Sequence, residues 1–197
     1  MADSSSRAVD SRTLRTVSAI ESAVRQAVTQ MPLDELTVAE VCRIAGIGRP
    51  SFYTHFASIP ELVARMLTAE IDDILPVPDV EHVPTEQIEP WITENFAAAL
   101  DLVAQDRELY RAAFTSSSSG VLRAVLERAV ENRVRNIIVI WQERELVNDV
   151  DLAVALPYIT GGITRAVEAW AHDDDTDAPA RARAIRDLMP RWWPFPS

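Results

Sequence analysis

Between Thr37 and Leu62 the chain reads TVAEVCRIAGIGRPSFYTHFASIPEL, where helix starts and stops follow so closely that two short helices and a tight turn are required. Thr37 stands three residues before Glu40, so its hydroxyl can accept from the Glu40 N–H while the carboxylate reaches back to the N–H of Thr37. A helix therefore begins at Thr37. Val38, Val41, Cys42 and Ala45 follow at three- and four-residue steps and give it one buried stripe, and Gly46 tolerates the left-handed conformation that ends a helix. Gly48 frees the chain for a second turn. Pro50 suits the first turn of the next helix, because it lacks an N–H that would have no partner there. This second helix spans about Arg49 to Phe56, and Ser58 and Glu61 repeat the capping-box spacing to open a third.

Phe52 and Phe56, four apart, face the first helix, which leaves Arg49, Pro50, Tyr53 and Thr54 outward and Ser51 and His55 on the flanks. That outward set is polar, basic and aromatic. The order T-V-x-x-V-x-x-x-A-G-I-x-R-x-S-F-Y-x-H-F-x-S-x-x-E-L resembles the helix-turn-helix of the TetR family of bacterial transcriptional regulators, and the likeness runs from Thr13 to Leu67. The resemblance implies an all-α chain with a three-helix DNA-binding head, followed by a helical domain for ligand binding and dimerisation. It implies that Thr37 touches a phosphate, that Arg49, Pro50, Ser51 and Thr54 lie closest to base edges, and that Tyr53 and His55 hold the backbone. An arginine at position 49 suits guanine O6 and N7, a contact worth about 1–3 kcal/mol of discrimination. Two positions depart from the family: Gly48 stands where serine is common, and Ile59 where a phosphate-binding lysine is common. Both remove backbone contacts.

The net charge of −11 looks unsuited to DNA until it is divided along the chain. Residues 1–60 hold six arginines and six acids, so they sum to zero; residues 61–197 hold thirteen arginines and twenty-four acids, giving 13 − 24 = −11. The acidity belongs to the second part, and a neutral head on an acidic body discourages non-specific DNA binding. All 19 basic residues are arginine. Cys42 is the single cysteine, which excludes an internal disulfide. No run of eighteen apolar residues exists and MADSSSRAVD lacks a signal peptide's apolar segment, so the expected location is cytoplasmic, with no membrane partner.

Beyond the head the chain reads as helix after helix, without the alternation of strands. The expected organisation is a disordered arm over 1–10, the DNA-binding domain over 11–57 with its helix-turn-helix at 37–56, a connecting helix over 58–75, a Pro-rich linker over 76–85, and the ligand-binding and dimerisation domain over 86–197. In a long helix running to about Leu146, Leu122, Leu126, Ala129, Ile137 and Ile140 share a face into which Arg133 and Asn136 also fall. A buried arginine needs a partner. Either an acid on a neighbouring helix, Glu94, Glu108 or Glu168, supplies it, or Arg133 meets the polar head of a ligand whose apolar part lies among Trp91, Asn95, Phe96, Tyr110, Phe114, Asn136, Trp141 and Tyr158. The acidic run HDDDTD lacks the spacing of a calcium loop and reads as a solvated loop.

Leu152, Leu156, Ile159, Ile163, Val167 and Trp170 make one stripe, joined by Ile185 and Leu188 of the last helix, and the resemblance implies that this pair packs against its copy. The tail RWWPFPS is expected to cover the domain or the dimer seam. No paired-carboxylate, Cys/His or metal-ligand pattern points to an enzyme, and no metal or cofactor is expected. The expected protein is a homodimeric regulator of double-stranded operator DNA, a repressor released by an unidentified small apolar effector. A helical ligand-binding or adaptor protein with weakened DNA binding is the alternative that Gly48 and Ile59 leave open.

Overall fold

The computed structural model describes residues 3–74, 82–148 and 150–195. Among them are nine α-helices and no strand: α1 Asp3–Val28, α2 Val38–Ala45, α3 Arg49–His55, α4 Ile59–Ile74, α5 Ile88–Gln105, α6 Arg107–Thr115, α7 Ser119–Glu143, α8 Leu152–His172 and α9 Ala178–Arg186. Single 3₁₀ turns, Leu33–Glu35 and Thr85–Gln87, precede α2 and α5. The sequence-based boundaries of the motif helices hold to within a residue. The arm expected over 1–10 is not a loop from Asp3 onward, because α1 already begins there. No glycine or proline interrupts 3–28, and an aspartate followed by three serines suits a helix start. Most of the linker expected over 76–85 lies outside the described residues.

A head of some sixty residues buries only about 60% of its unfolded surface and is marginal alone. Here it does not stand alone. Ile20, Val24, Val41, Phe52, Phe56, Leu62, Met66 and Leu67 of the first four helices form one continuous core with Leu100, Val103, Leu109, Tyr110, Phe114, Leu122, Leu126 and Trp170 of the body. Within it α1 packs on α2 and α6, and α4 packs on α7. Two polar contacts reinforce the junction: Arg25 Nε lies 2.6 Å from Asp106 Oδ2, and the Asp34 carboxylate accepts from the N–H and the hydroxyl of Ser117 at 2.8–3.0 Å. The seam at 76–85 therefore divides two runs of sequence without dividing their core.

A second core occupies the far end of the body, built from Ile88, Ile92, Val134, Ile138, Trp141, Val147, Leu156, Ile159, Ile163 and Trp193. The tail belongs to it, as expected of a covering segment. Trp193 packs edge-on against Trp141 with ring centroids 5.2 Å apart, and Phe195 meets Trp193 in the same edge-on manner at 5.8 Å.

Trp170, expected at a dimer seam, is instead fully buried within one chain. Its indole N–H donates to the Leu100 carbonyl at 2.8 Å, and the guanidiniums of Arg107 and Arg181 lie 5.2 and 5.1 Å from its ring centre. The acidic run after α8 is not simply solvated either. Arg107 and Arg111 donate to the carbonyls of Ala171, Asp173 and Asp175, and Arg181 pairs with the Asp173 carboxylate at 2.6 Å. These arginines cap the C-terminus of α8, where positive charge is favoured.

Between α7 and α8, Arg123 grips Glu168 with two parallel bonds of 3.0 and 2.8 Å, and Arg165 adds a third. The bonds from Arg123, and then those from Arg165, hold the Glu168 carboxyl below its ordinary value of 4.5 against the opposing effect of burial. A carboxylate with a depressed folded pKa stabilises the fold above its unfolded value and loses that contribution as pH falls through the folded value. Thermal denaturation followed across pH 3–7 should therefore show a melting temperature that falls below about pH 4.5, with a shallower fall in Glu168→Gln. Arg123→Ala should cost about 2 kcal/mol at neutral pH, the range for hydrogen bonds to charged groups.

Candidate functional site

The turn that sets α3 is built from local chemistry. The Thr37 hydroxyl accepts from the Glu40 N–H at 3.2 Å and caps α2, but the reciprocal half of the box is absent because the Glu40 carboxylate turns to Arg43 at 2.6 Å. Gly46 ends α2 at φ 68° and ψ 32°, and the Ile47 N–H returns to the Cys42 carbonyl at 3.0 Å. Gly48 is different: at φ −80° and ψ 149° it needs none of glycine's freedom, and it caps α3 without a side chain. At the start of α4 the Ser58 hydroxyl accepts from Glu61 N–H at 3.2 Å, while the Glu61 carboxylate accepts from Ala57 N–H, one residue earlier than the expected box.

Phe52 and Phe56 are buried and hold α3 against the head, which exposes Arg49, Pro50, Tyr53 and Thr54 on its outer side, with Ser51 and His55 half-buried at the flanks. Thr37 is exposed at the start of α2. Thr54 donates to the Pro50 carbonyl at 3.0 Å, which leaves its oxygen able to accept from outside. Ile59, standing where the family often has a lysine, is an element of the shared core. Burial pushes the Cys42 thiol pKa up, so it serves as a packed apolar group.

Arg65 on α4 is a part of this site that sequence reasoning missed. Its Nη1 donates to the His55 carbonyl at 2.8 Å and its guanidinium lies 4.7 Å from the centre of the Phe56 ring. It thus satisfies the C-terminus of α3 and locks that helix to α4. The ten-residue separation falls outside any local capping pattern, so no sequence signal marks it.

In the body, a cavity of about 140 Å³ lies between the two cores. Leu100, Val103, Tyr110, Leu126 and Ile185 of the shared core line one part, and Ile92, Val134, Ile163 and Trp193 of the far core line another. Of the residues expected around a ligand, Trp91, Asn95, Phe96, Tyr110 and Arg133 line it. Four do not. Phe114 is packed in the shared core, Trp141 is packed in the far core, Asn136 faces solvent, and Tyr158 is 72% exposed. The inward face of α7 runs through Leu122, Leu126, Val134, Ile138 and Trp141, and Asn136 lies off that line. Arg133 Nη1 donates to the Ala129 carbonyl at 3.2 Å. Of the acids considered for it, Glu168 is held by Arg123, and Glu108 lies 3.5 Å from Arg111.

The stripe expected at a dimer interface is also turned inward. Leu156, Ile159, Ile163, Trp170 and Ile185 are buried, Leu152 and Val167 are half-buried, and Ile163, Val167 and Ile185 line the cavity. Leu188 alone among them is fully exposed, at 78%. What α8 shows to solvent includes Val154, Tyr158, Gly162, Arg165 and Ala169, at helical spacing, with Ala153, Pro157 and His172 exposed as well.

Residues 20–66 match the family model described as bacterial regulatory proteins, tetR family. The whole chain is similar in fold to three solved structures of low identity. The dihydroxyacetone kinase operon activator DhaS is 13% identical with a TM-score of 0.66, the match covering 88% of this chain and 93% of that one. The fatty acid degradation regulator FadR from Bacillus halodurans is 15% identical with a TM-score of 0.65, covering 87% and 96%. The transcriptional regulator FadR from Bacillus subtilis, in complex with stearoyl-CoA, is 17% identical with a TM-score of 0.62, covering 86% and 95%. No curated protein sequence matches this one.

The two turn glycines should respond oppositely to a side chain. At Gly48 an added Cβ would meet only Pro50 Cδ, at an ordinary 3.6 Å. Gly48→Ser should raise stability by a few tenths of a kcal/mol by supplying a cap. Gly46→Ala should lower it by about 1–2 kcal/mol, the cost of the left-handed conformation. Urea midpoints of the two variants check both signs.

Proposed function

We propose, from the match of residues 20–66 to the tetR family of bacterial regulatory proteins, that the chain is a regulator of that family and represses transcription as a homodimer whose operator is released when a small molecule fills the body cavity. It is a DNA-binding transcriptional regulator; its direction of control, its effector and its contact residues are our reading. The observation that carries this reading is a single apolar core that runs from α3 to the wall of the cavity. Phe52 and Phe56 seat the inner face of α3 in that core, and Leu126 belongs both to it and to the cavity lining. A molecule bound among these residues can tilt α4 and the head only by changing contacts that the two sites share.

For base reading we assign Arg49, Pro50, Ser51 and Thr54, with Thr37, Tyr53 and His55 on phosphates. The arrangement of α3 supports this, since the residues nearest its N-terminus enter the groove first. The neutral charge of residues 1–60 makes Arg49 the main specific cation of the motif. For the dimer we assign the solvent face of α8, Val154, Tyr158, Gly162, Arg165 and Ala169, together with Leu188. Gly162 and Ala169 permit close approach of a second helix, while Val154 and Tyr158 supply apolar surface. Two-fold symmetry then sets two α3 helices about 34–36 Å apart for successive major grooves. In the FadR of Bacillus subtilis the bound molecule is stearoyl-CoA; this chain's cavity supports a smaller occupant.

An electrophoretic shift with the DNA upstream of the protein's own gene tests the reading. The wild type should bind specifically and resist competitor DNA, and Arg49→Ala should lose about 1–3 kcal/mol of operator binding with little change on unrelated DNA. Absence of specific binding, or an equal loss on both DNAs, contradicts it.

A further inference from the structure

We propose that the cavity takes a compact molecule about the size of one six-membered ring, bearing an oxygen that accepts a hydrogen bond from the Trp193 indole N–H and shares another with the Thr164 hydroxyl. This rests on the reading of the chain as a ligand-responsive regulator and specifies the ligand's chemical class.

Size comes first. The cavity holds about 140 Å³, close to the engineered apolar cavity of about 150 Å³ that admits benzene. A long acyl chain does not fit that volume. A single substituted ring does.

Polarity comes from two orphaned atoms. Thr164 Oγ1 and Trp193 Nε1 are buried without a hydrogen-bond partner, and both residues line this cavity. Thr164 is 2% exposed and Trp193 6%. Leaving such a group unsatisfied costs about 1–3 kcal/mol. A helical threonine has an easy remedy, which is to donate to the carbonyl four residues back. Thr16, Thr54, Thr68, Thr93, Thr115 and Thr160 all do so, the last to Leu156 on the same helix at 2.8 Å. Thr164, one turn further along α8, does not. Valine would fill that place without an unmet hydroxyl, so the threonine suits a partner that enters from the cavity.

Trp193 adds direction. An indole N–H only donates, so its partner must carry an acceptor. Trp141 Nε1 is also orphaned, but Trp141 is not part of the lining and gives no information about an occupant. The remaining polar groups of the lining are the Trp91 indole N–H, Asn95, whose Nδ2 donates to the Trp91 carbonyl at 2.7 Å, Arg133 and Tyr110. Arg133, whose Nη1 donates to the Ala129 carbonyl, stands on the same wall. A phenol oxygen and a benzoate carboxylate share the required chemistry. A bare hydrocarbon lacks it.

The test is calorimetric titration of the full-length protein with benzene, phenol, benzoate and decanoate, in the wild type, Thr164→Val and Trp193→Phe. Phenol or benzoate should bind at least about tenfold more tightly than benzene, a gap expected for one well-made buried hydrogen bond. Thr164→Val should remove most of that gap, leave benzene affinity unchanged, and raise the melting temperature of the unliganded protein. Trp193→Phe should narrow the gap as well. Benzoate ahead of phenol would assign the charge of Arg133 a part in binding, and the reverse order would assign a neutral ring alcohol. Equal binding of benzene and both oxygenated rings, or an unchanged preference in both variants, overturns the proposal. Tight binding of decanoate alone, with release of operator DNA, overturns the ring assignment while the regulator reading stands. If no probe binds while operator binding is intact, the ring assignment fails on its own.

Discussion

The rest of the structure depends on a core that does not respect the division of the sequence into head and body. Leu62, Met66 and Leu67 of α4 and Leu122 and Leu126 of α7 belong to the same apolar cluster as Phe52 and Phe56. Each fully buried side chain of this kind contributes about 1.5–3 kcal/mol. Separating head from body would expose several at once, which exceeds the whole stability of a typical domain within a few residues. The orientation of α3 is thus fixed by packing that extends to the middle of the protein. The Arg65 bond to the end of α3 and the Asp34 bonds to Ser117 trim that orientation.

The cavity lies where this shared core meets a second one. Phe96, Val167 and Met189 pack against both. An occupant would therefore alter the fit between the two cores, and close-packed interiors transmit such a misfit because they compress little. Leu126 on α7 and the α4–α7 contact connect the cavity wall to the core that holds α3. Trp193 of the tail contributes to the cavity wall. The solvent face of α8 is opposite to its cavity face.

The head was largely legible in the sequence, because caps and turns are decided over three to five residues. Thr37, Gly46, Pro50 and Ser58 each announce a boundary by local chemistry, and the Phe52–Phe56 pair fixes which side of α3 faces out. Where the reading slipped, tertiary choices intervened. Glu40 found Arg43 in place of the Thr37 N–H, since a guanidinium one turn away competes with a backbone amide. The apolar stripe of α8 was visible, but its period cannot say whether the same chain or a second copy covers it. Here α5, α7 and the tail do, so Ile159, Ile163 and Trp170 are core. The 25 residues of α7 allow several plausible faces, and the one chosen from sequence placed Asn136 inward by mistake. Arg133 was singled out with Glu94, Glu108 or Glu168 as its candidate acids, and of these Glu168 belongs to Arg123. Trp193 was foreseen as a cover and not as a cavity wall, because only the folded path of the tail brings it to α5 and α8.

Hydrogen exchange of the unliganded protein in rising sub-denaturing urea tests the shared core most directly, because it reports the opening free energy of each helix separately. The amides of Val41 and Phe52 in the head and of Leu126 and Trp170 in the body should merge into one opening with a common free energy and a common urea dependence. Exchange of α2 and α3 through a smaller opening of their own, with α5–α8 still protected, would contradict a single core joining the two.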